Sequence, residues 1–208
     1  MLAAGSTNVL FATSGLKGAV MEILILGLVL FLGIHLVPVM TGMRRQLFGS
    51  LGEKRYKGLF SLVSAIGLVL IVVGYARAPA GPRLFDPYHA AVLAAPLSMM
   101  VSFVLLASAN MKTHIRRTLR HPMLIGVGIW AFVHLLANGE TRASILFGAF
   151  LAYVLIDLIS AVQRHAVKAF TPALRQDVIT VVAGIALALL VMAFHRPLFG
   201  VAAVPWGM

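Results

Sequence analysis

Long apolar stretches recur along the whole chain, and this repetition limits the available folds more than any other feature. A helix needs about 20 mostly apolar residues to cross the hydrocarbon layer of a bilayer. In lipid a segment must satisfy its own backbone polar groups, and the alternating polarity of a membrane barrel is absent. The sequence therefore predicts an all-α, polytopic membrane bundle of about six transmembrane helices. The predicted spans are Val20 to Met43, Gly58 to Ala76, His89 to Ala109, Pro122 to Ala137, Ala143 to Val162 and Val178 to His195.

The charge of the chain is typical of a membrane protein rather than of a nucleic-acid-binding protein. Hydrophobic residues make up 61% of the 208 positions and charged residues 11%, with a formal net charge of +11. The 17 lysines and arginines occur in short clusters between apolar stretches, as in membrane loops. We therefore expect the lipid bilayer as a partner and no nucleic acid. Cysteine is absent, which excludes disulfides, cysteine-ligated metals and thiolate nucleophiles.

Basic residues are distributed unevenly between the two sides of the predicted bundle. Twelve of them lie in the loops after the first, third and fifth helices: Arg44, Arg45, Lys54, Arg55, Lys57, Lys112, Arg116, Arg117, Arg120, Arg164, Lys168 and Arg175. The other side has the remaining five: Lys17, Arg77, Arg83, Arg142 and Arg196. The positive-inside rule then predicts that the three basic loops are cytoplasmic and that both termini lie outside the cytoplasm.

The sequence divides into one membrane domain and two short ends. Residues 1–19 are rich in Gly, Ser, Thr and Ala, and Met21 followed by Glu22 resembles a natural start, so we interpret 1–19 as an N-terminal extension that need not be native. Residues 20–197 form the predicted transmembrane domain. Residues 198–208, with Pro205 and Trp206, are expected to form an interfacial C-terminal tail.

Two histidines lie inside predicted spans, where ionisable groups are costly and usually face the bundle interior. From the span ends, His35 is expected at a depth of roughly 12 Å and His134 at roughly 20 Å from the same side. Helix tilt and the reach of two imidazoles would allow both to ligate one metal centre. Two neutral imidazoles are the usual way to hold b-type haem without covalent attachment. The alternative at each position is a hydrogen-bonded interior histidine.

Asp157 is the third ionisable group within a span. Its carboxylate is placed to accept the Nδ1 proton of a ligand histidine, or to pair with Arg120 or Arg164. We favour the structural pairing.

The remaining histidines are predicted to be interfacial. His121 precedes Pro122 at a helix start, where an interfacial histidine is expected to cap the helix or contact a headgroup. The others lie at segment ends: His89, His114, His165 and His195. Gly126 and Gly128 give their helix a small-residue face, which predicts close packing of another helix or, less favoured, of a planar ligand.

Several reaction classes find no support in the sequence. No nucleotide-binding glycine loop, Ser-His-Asp arrangement, paired carboxylates or zinc spacing is present, so hydrolysis and phosphoryl transfer are disfavoured. Transport is disfavoured too, because no interrupted pair of helices is apparent.

Two blocks of sequence resemble the NnrU family of membrane proteins. The first runs from Gly33 to Pro38, continues with Arg44 and Leu47, and ends with residues 51–61, LGEKRYKGLFS. The second contains residues 120–124, RHPML, then Gly126, Trp130, residues 134–139, HLLANG, and finally residues 146–148, LFG, and Asp157. The resemblance extends over roughly Met21 to Phe194.

The resemblance implies a bacterial inner-membrane protein that is linked to nitrite and nitric oxide reduction in denitrification. Relatives of the family are 15-cis-zeta-carotene isomerases, which hold haem b between two membrane histidines and isomerise a polyene. Their ligand positions match His35 and His134, so the resemblance implies haem b as cofactor. The expected partners are a hydrophobic small-molecule substrate or a membrane reductase.

One departure puts isomerase activity in doubt. The isomerases have a cysteine three residues before the second ligand histidine, and this chain has Ala131 there. Whether the protein is an enzyme stays open; if it is one, we expect a haem-dependent isomerase or a redox protein.

Two further functions are alternatives. Arg120, His121 and Pro122 also resemble the cofactor-binding start of isoprenylcysteine carboxyl methyltransferases, which use S-adenosylmethionine, but Glu140 lacks the second glutamate that those enzymes have beside it. The other alternative is a non-catalytic assembly factor for a membrane reductase.

Overall fold

The computed structural model describes residues 4–164, 169–200 and 203, and within these ranges the structure is helical without any strand. The chain divides into two compact units, Met1–Pro82 and Arg83–Met208, which are described separately below. The predicted positions of His165, Lys168, Pro205 and Trp206 lie outside the described residues.

The first unit consists of three helices: α1 (Ala4–Leu36), α2 (Thr41–Leu51) and α3 (Glu53–Arg77). Residues 4–19, predicted to be an extension, continue α1 toward its N-terminus. The helices α1 and α3 pack against each other along their lengths, with α2 beside the start of α3. Leu24 on α1 is fully buried in this contact.

Glycines set the distance between α1 and α3. A Cβ atom added at Gly27 would lie 2.6 Å from the backbone nitrogen of Ile71, and one added at Gly74 would lie 2.5 Å from that of Leu24. A Cβ at Gly67 would lie 2.7 Å from the nitrogen of Phe31. These backbone contacts run in opposite order along the two helices, so α1 and α3 are antiparallel. Small residues that admit a second backbone are how membrane helices associate without a hydrophobic driving force between them.

The first predicted span is wrong at its C-terminal end. We expected a continuous helix to Met43, but α1 ends at Leu36, and α2 leaves at an angle of 87° to the segment Val20–Leu36. The cause is Pro38, which has no N–H to donate and disfavours helical backbone at Val37 before it. The amides of Val39 and Met40 both bond to the carbonyl of Leu36, which closes the turn. The expectation of no interrupted helix pair is therefore also wrong.

The second unit contains six helices within its described residues: α4 (His89–Ser108), α5 (His114–Leu119), α6 (Pro122–Asn138), α7 (Thr141–Gln163), α8 (Leu174–Ala193) and α9 (His195–Phe199). The helix α4 packs against both α6 and α8, and α7 packs on α6. Pro122 occupies the first turn of α6, as predicted, where a missing donor costs nothing.

Close contacts fix α4 against its two neighbours. The Ser102 hydroxyl, fully buried, donates to the carbonyl of Gly126 at 2.8 Å, so it crosslinks α4 and α6. A Cβ at Gly184 on α8 would lie 2.5 Å from the Cα of Val104. The helix α6 packs as closely on α7, where a Cβ at Gly128 would meet Val154 at 3.3 Å. The close packing predicted for the Gly126 and Gly128 face is confirmed.

Hydrogen bonds tie the loops of the second unit to its helices. At one end, the Asp177 carboxylate accepts from the backbone amide of His114 at 2.8 Å and from its Nδ1 at 2.6 Å. At the other end, the amide of Tyr88 donates to Leu136 at 3.0 Å and the amide of Leu84 to Gly139 at 2.8 Å. Gly139 has a φ of 71°, and a Cβ there would collide with the Phe85 carbonyl, so glycine is required.

Each of the six predicted spans coincides with a helix. Four helices are long and apolar enough to cross a membrane: Glu53–Arg77, His89–Ser108, Thr141–Gln163 and Leu174–Ala193. The bent pair Val20–Leu36 and Thr41–Leu51 counts as a fifth, and α6 is a shorter apolar helix of 17 residues. These apolar helices are those of a multi-pass membrane protein.

Replacing Gly74 by alanine should destabilise the first unit by about 1 to 3 kcal/mol, because the new methyl group would overlap the Leu24 backbone. Gly58→Ala on the same helix is the matched control, since a Cβ there meets nothing within 4 Å. Thermal unfolding in detergent, followed by circular dichroism, measures both. An unfolding temperature for Gly74→Ala equal to that of Gly58→Ala would contradict the packing.

Candidate functional site

His35 lies in the last turn of α1, one residue before the helix ends. The depth of roughly 12 Å expected from a longer helix therefore does not apply. Its Nδ1 is 2.6 Å from the carbonyl oxygen of Phe31. The imidazole also packs against two aromatic rings, with centroid distances of 4.3 Å to Phe31 and 5.0 Å to Phe60.

Tyr56 extends this aromatic group at the start of α3. Its ring is 6.4 Å from that of Phe60 and 4.9 Å from that of Phe48, and the residue is only 8% exposed. Among the described residues, its buried hydroxyl has no hydrogen-bond partner. A buried hydroxyl without a partner is costly, so this atom points to a polar group that the polypeptide does not supply.

His134 lies in the last third of α6. Its Nδ1 is 2.9 Å from the Trp130 carbonyl oxygen, and its own carbonyl accepts from the Asn138 side chain at 2.6 Å. The imidazole is 4.9 Å from the ring of Phe147 on α7 and 5.6 Å from that of Trp130. Trp130 is in turn held edge-on by Phe147 and Phe150.

Both histidines have the same tautomer for the same reason. A carbonyl oxygen can only accept, so Nδ1 of each ring must carry the proton and donate it to the residue four positions earlier. The lone pair then belongs to Nε2. A histidine that donates Nδ1–H to a backbone carbonyl and coordinates through Nε2 is a common arrangement of histidine metal ligands.

Asp157 does not bind either histidine through Nδ1. Its carboxylate accepts from the Tyr153 hydroxyl at 3.0 Å and pairs with the guanidinium of Arg164, the C-cap residue of α7, at 3.4 Å. The favoured structural pairing is confirmed, with Arg164 rather than Arg120 as the partner, whereas the Nδ1 proton of His134 goes to the main chain.

The structure adds a neighbour that we did not expect for His134. His195, predicted to be interfacial, has its ring centroid 6.5 Å from that of His134 at an angle of 23°. His195 starts α9 and packs against Phe199 at 4.9 Å. The hydropathy pattern placed it at a helix end, but nothing in the pattern indicated which other helix end lies beside it.

A comparison with protein families now identifies the chain. The model described as NnrU protein matches residues 23–203. The chain belongs to the NnrU family. Both histidines and Asp157 fall within the matched range. Searches of curated proteins and of solved structures find no similar protein.

The described part of this NnrU-family chain groups few side chains that could ligate a metal ion. In the part of the chain that the structure describes, no three His, Asp or Glu side chains are grouped to hold a metal ion. Haem supplies four nitrogen ligands of its own and needs only one or two from the protein. A histidine whose lone pair lies on Nε2, such as His35 or His134, can supply such a ligand. The Tyr56 hydroxyl can donate a hydrogen bond to a carboxylate.

Replacing Asp157 by asparagine should destabilise the second unit by about 1 kcal/mol, between the values for exposed and buried ion pairs, because the pair with Arg164 is partly exposed. Asp86→Asn is the control, since Asp86 is 96% exposed in its pair with Arg83 and should cause no measurable change. Thermal unfolding in detergent compares the two. Equal unfolding temperatures would show that the Asp157 pair contributes nothing.

Proposed function

We propose that this NnrU-family membrane protein binds haem b, and that His35 in the first unit and His134 in the second are residues that would each ligate haem iron through Nε2. The observation that supports the proposal most is the shared tautomer of the two histidines, which directs each lone pair to Nε2. The surroundings agree. Both imidazoles lie among aromatic rings, which suit the flat, apolar face of a porphyrin.

Each protein group has a defined part in this proposal. The carbonyls of Phe31 and Trp130 orient the imidazoles and raise their basicity by accepting Nδ1–H. The Tyr56 hydroxyl would donate to a haem propionate. When bound, haem would supply one-electron chemistry.

The proposed biological role follows the family resemblance. A redox or nitric-oxide-responsive role in denitrification is favoured over isomerisation of a lipid-soluble polyene, because the isomerase cysteine is replaced by Ala131, which is fully buried. No observation favours the methyltransferase alternative. The Glu140 carboxylate lies 3.6 Å from the Arg142 guanidinium, and the next residue is Thr141 rather than a second acid.

Replacing His134 by alanine should abolish the low-spin haem spectrum, because its Nε2 would no longer ligate iron. His35→Ala should abolish it as well, because its Nε2 would be lost in the same way. The matched control is His121→Ala, at the N-cap of α6, whose side chain makes no capping bond and whose loss should leave the spectrum unchanged. Identical haem content and spectra in the His35 and His134 variants and in the parent would refute the ligand assignment.

Replacing Tyr56 by phenylalanine should speed haem loss by roughly 10- to 100-fold, the range expected when a hydrogen bond to a charged group is removed. The haem-free fold should not be destabilised, since the hydroxyl has no partner within it. Haem transfer to apomyoglobin measures the rate, and Tyr88→Phe, at an exposed tyrosine, is the control. Equal transfer rates in the two variants would exclude a propionate contact.

A further inference from the structure

The end of the second unit where α5 meets the starts of α6 and α8 has many cations and little negative charge. The two segments that form it, residues 109–121 and 163–177, contain seven lysines and arginines and one acidic residue, Asp177. Both oxygens of the Asp177 carboxylate already accept hydrogen bonds from His114. The one acidic residue of α7, Asp157, pairs with Arg164. The described part of the protein therefore does not neutralise the positive charge of this end.

Hydrogen bonds fix these two segments against each other. The amide of Lys112, between α4 and α5, donates to the Gln176 side chain in the first turn of α8. Thr113 is fully buried and caps α5 by accepting from the Arg116 amide at 3.0 Å. The Arg116 guanidinium lies 5.2 Å from the centre of the Phe170 ring, which is a cation–π contact. The backbone that carries the cations is thus held in place by the protein itself.

Most of the cations at this end are accessible to a partner. The exposed ones are Lys112, Arg117, Arg120 and Arg175. Within the described ranges no carboxylate forms an ion pair with any of them. Two leucines beside them in sequence are exposed as well, Leu119 by 40% and Leu174 by 73%. Cations next to exposed apolar side chains suit the boundary of a bilayer, where phosphates lie beside acyl chains.

Arg120 has a backbone conformation that favours glycine. Its φ is 62°, and no other non-glycine residue whose structure is described has a positive φ. The amide of His121 bonds back to the Leu119 carbonyl at 2.6 Å, which closes a three-residue turn around Arg120. A turn of this kind is strained for a residue with a side chain. The strain indicates that the arginine side chain, and not the shape of the turn, has a function.

We propose that this basic end of the second unit binds the phosphate of an anionic phospholipid, with Arg117 and Arg120 as its main contacts. The two arginines are three residues apart at the end of α5, so one phosphate can contact both. A zwitterionic lipid is disfavoured, because the same arginines repel its choline cation. The lipid site uses none of the residues assigned to haem.

Native mass spectrometry of the full-length protein in mild detergent tests the site, with phosphatidylglycerol and phosphatidylcholine of the same acyl chains as probes. The parent should bind phosphatidylglycerol more tightly. Arg117→Gln combined with Arg120→Gln should weaken that binding roughly 10- to 30-fold, since each basic residue near an anionic headgroup contributes about fivefold. Its affinity for phosphatidylcholine should hardly change.

Arg83→Gln combined with Arg196→Gln is the matched control. It removes the same charge from two exposed arginines at the opposite end of the same unit, one bridged to Glu140 after α6 and one after α8. This variant should bind phosphatidylglycerol as the parent does.

Arg120→Gly separates lipid binding from folding. Glycine adopts a positive φ without strain, so the unfolding temperature in neutral detergent should not fall. The affinity for phosphatidylglycerol should still fall by about fivefold. A residue that only shapes the turn would show neither loss of lipid affinity nor any difference between the two lipids.

Four results would overturn the proposal. The first is equal affinity of the parent for the two lipids, and the second is unchanged phosphatidylglycerol affinity when Arg117 and Arg120 are both replaced. Displacement of phosphatidylglycerol by millimolar inorganic phosphate would assign the surface to a soluble anion. Binding of polyglutamate as tight as that of phosphatidylglycerol would assign it to an acidic protein.

Discussion

Close backbone approach at glycine is the contact on which the other features of each unit depend. Lipid tails are as apolar as leucine side chains, so helices in a membrane gain little from apolar burial and instead rely on packing and interhelical hydrogen bonds. In the first unit, Gly27 and Gly74 admit the opposite backbone. In the second, Gly184 does so, and the Ser102 hydroxyl bonds across to α6. Such contacts fix the register of neighbouring helices as well as their distance.

Register decides which polar side chains meet in an otherwise apolar protein. His134 and His195 are far apart in sequence, yet they share a level because α6 and α8 are both fixed against α4. Each intramembrane imidazole must also satisfy its ring nitrogens without water. His35 and His134 do so by donating Nδ1–H to a carbonyl one turn earlier, which leaves the coordinating lone pair on Nε2. The hydrogen bond that satisfies Nδ1 in the absence of water thus also leaves the imidazole in the tautomer of a metal ligand.

Hydropathy predicted the six helical segments, and small residues predicted the packing face of α6 at Gly126. The sequence also predicted that Asp157 pairs with a nearby arginine, and the partner is Arg164, the C-cap residue of α7. The sequence predicted that the first helix ends at Met43, because an apolar run continues past Pro38. A hydropathy pattern gives no sign of the N–H that proline lacks. The neighbour of His134 could not be predicted, because the register of α8 on α4 depends on three-dimensional contacts rather than on the local pattern.

The central claim is that this NnrU-family protein binds haem b through histidine, and the visible absorption of the purified protein tests it most directly. The protein should be prepared in mild detergent from cells supplied with a haem precursor, and its spectrum recorded oxidised and then reduced. The account predicts a low-spin oxidised spectrum that sharpens on reduction into the bands of a six-coordinate b-type haem. A colourless, monodisperse and fully helical preparation that also fails to take up added haemin would contradict it.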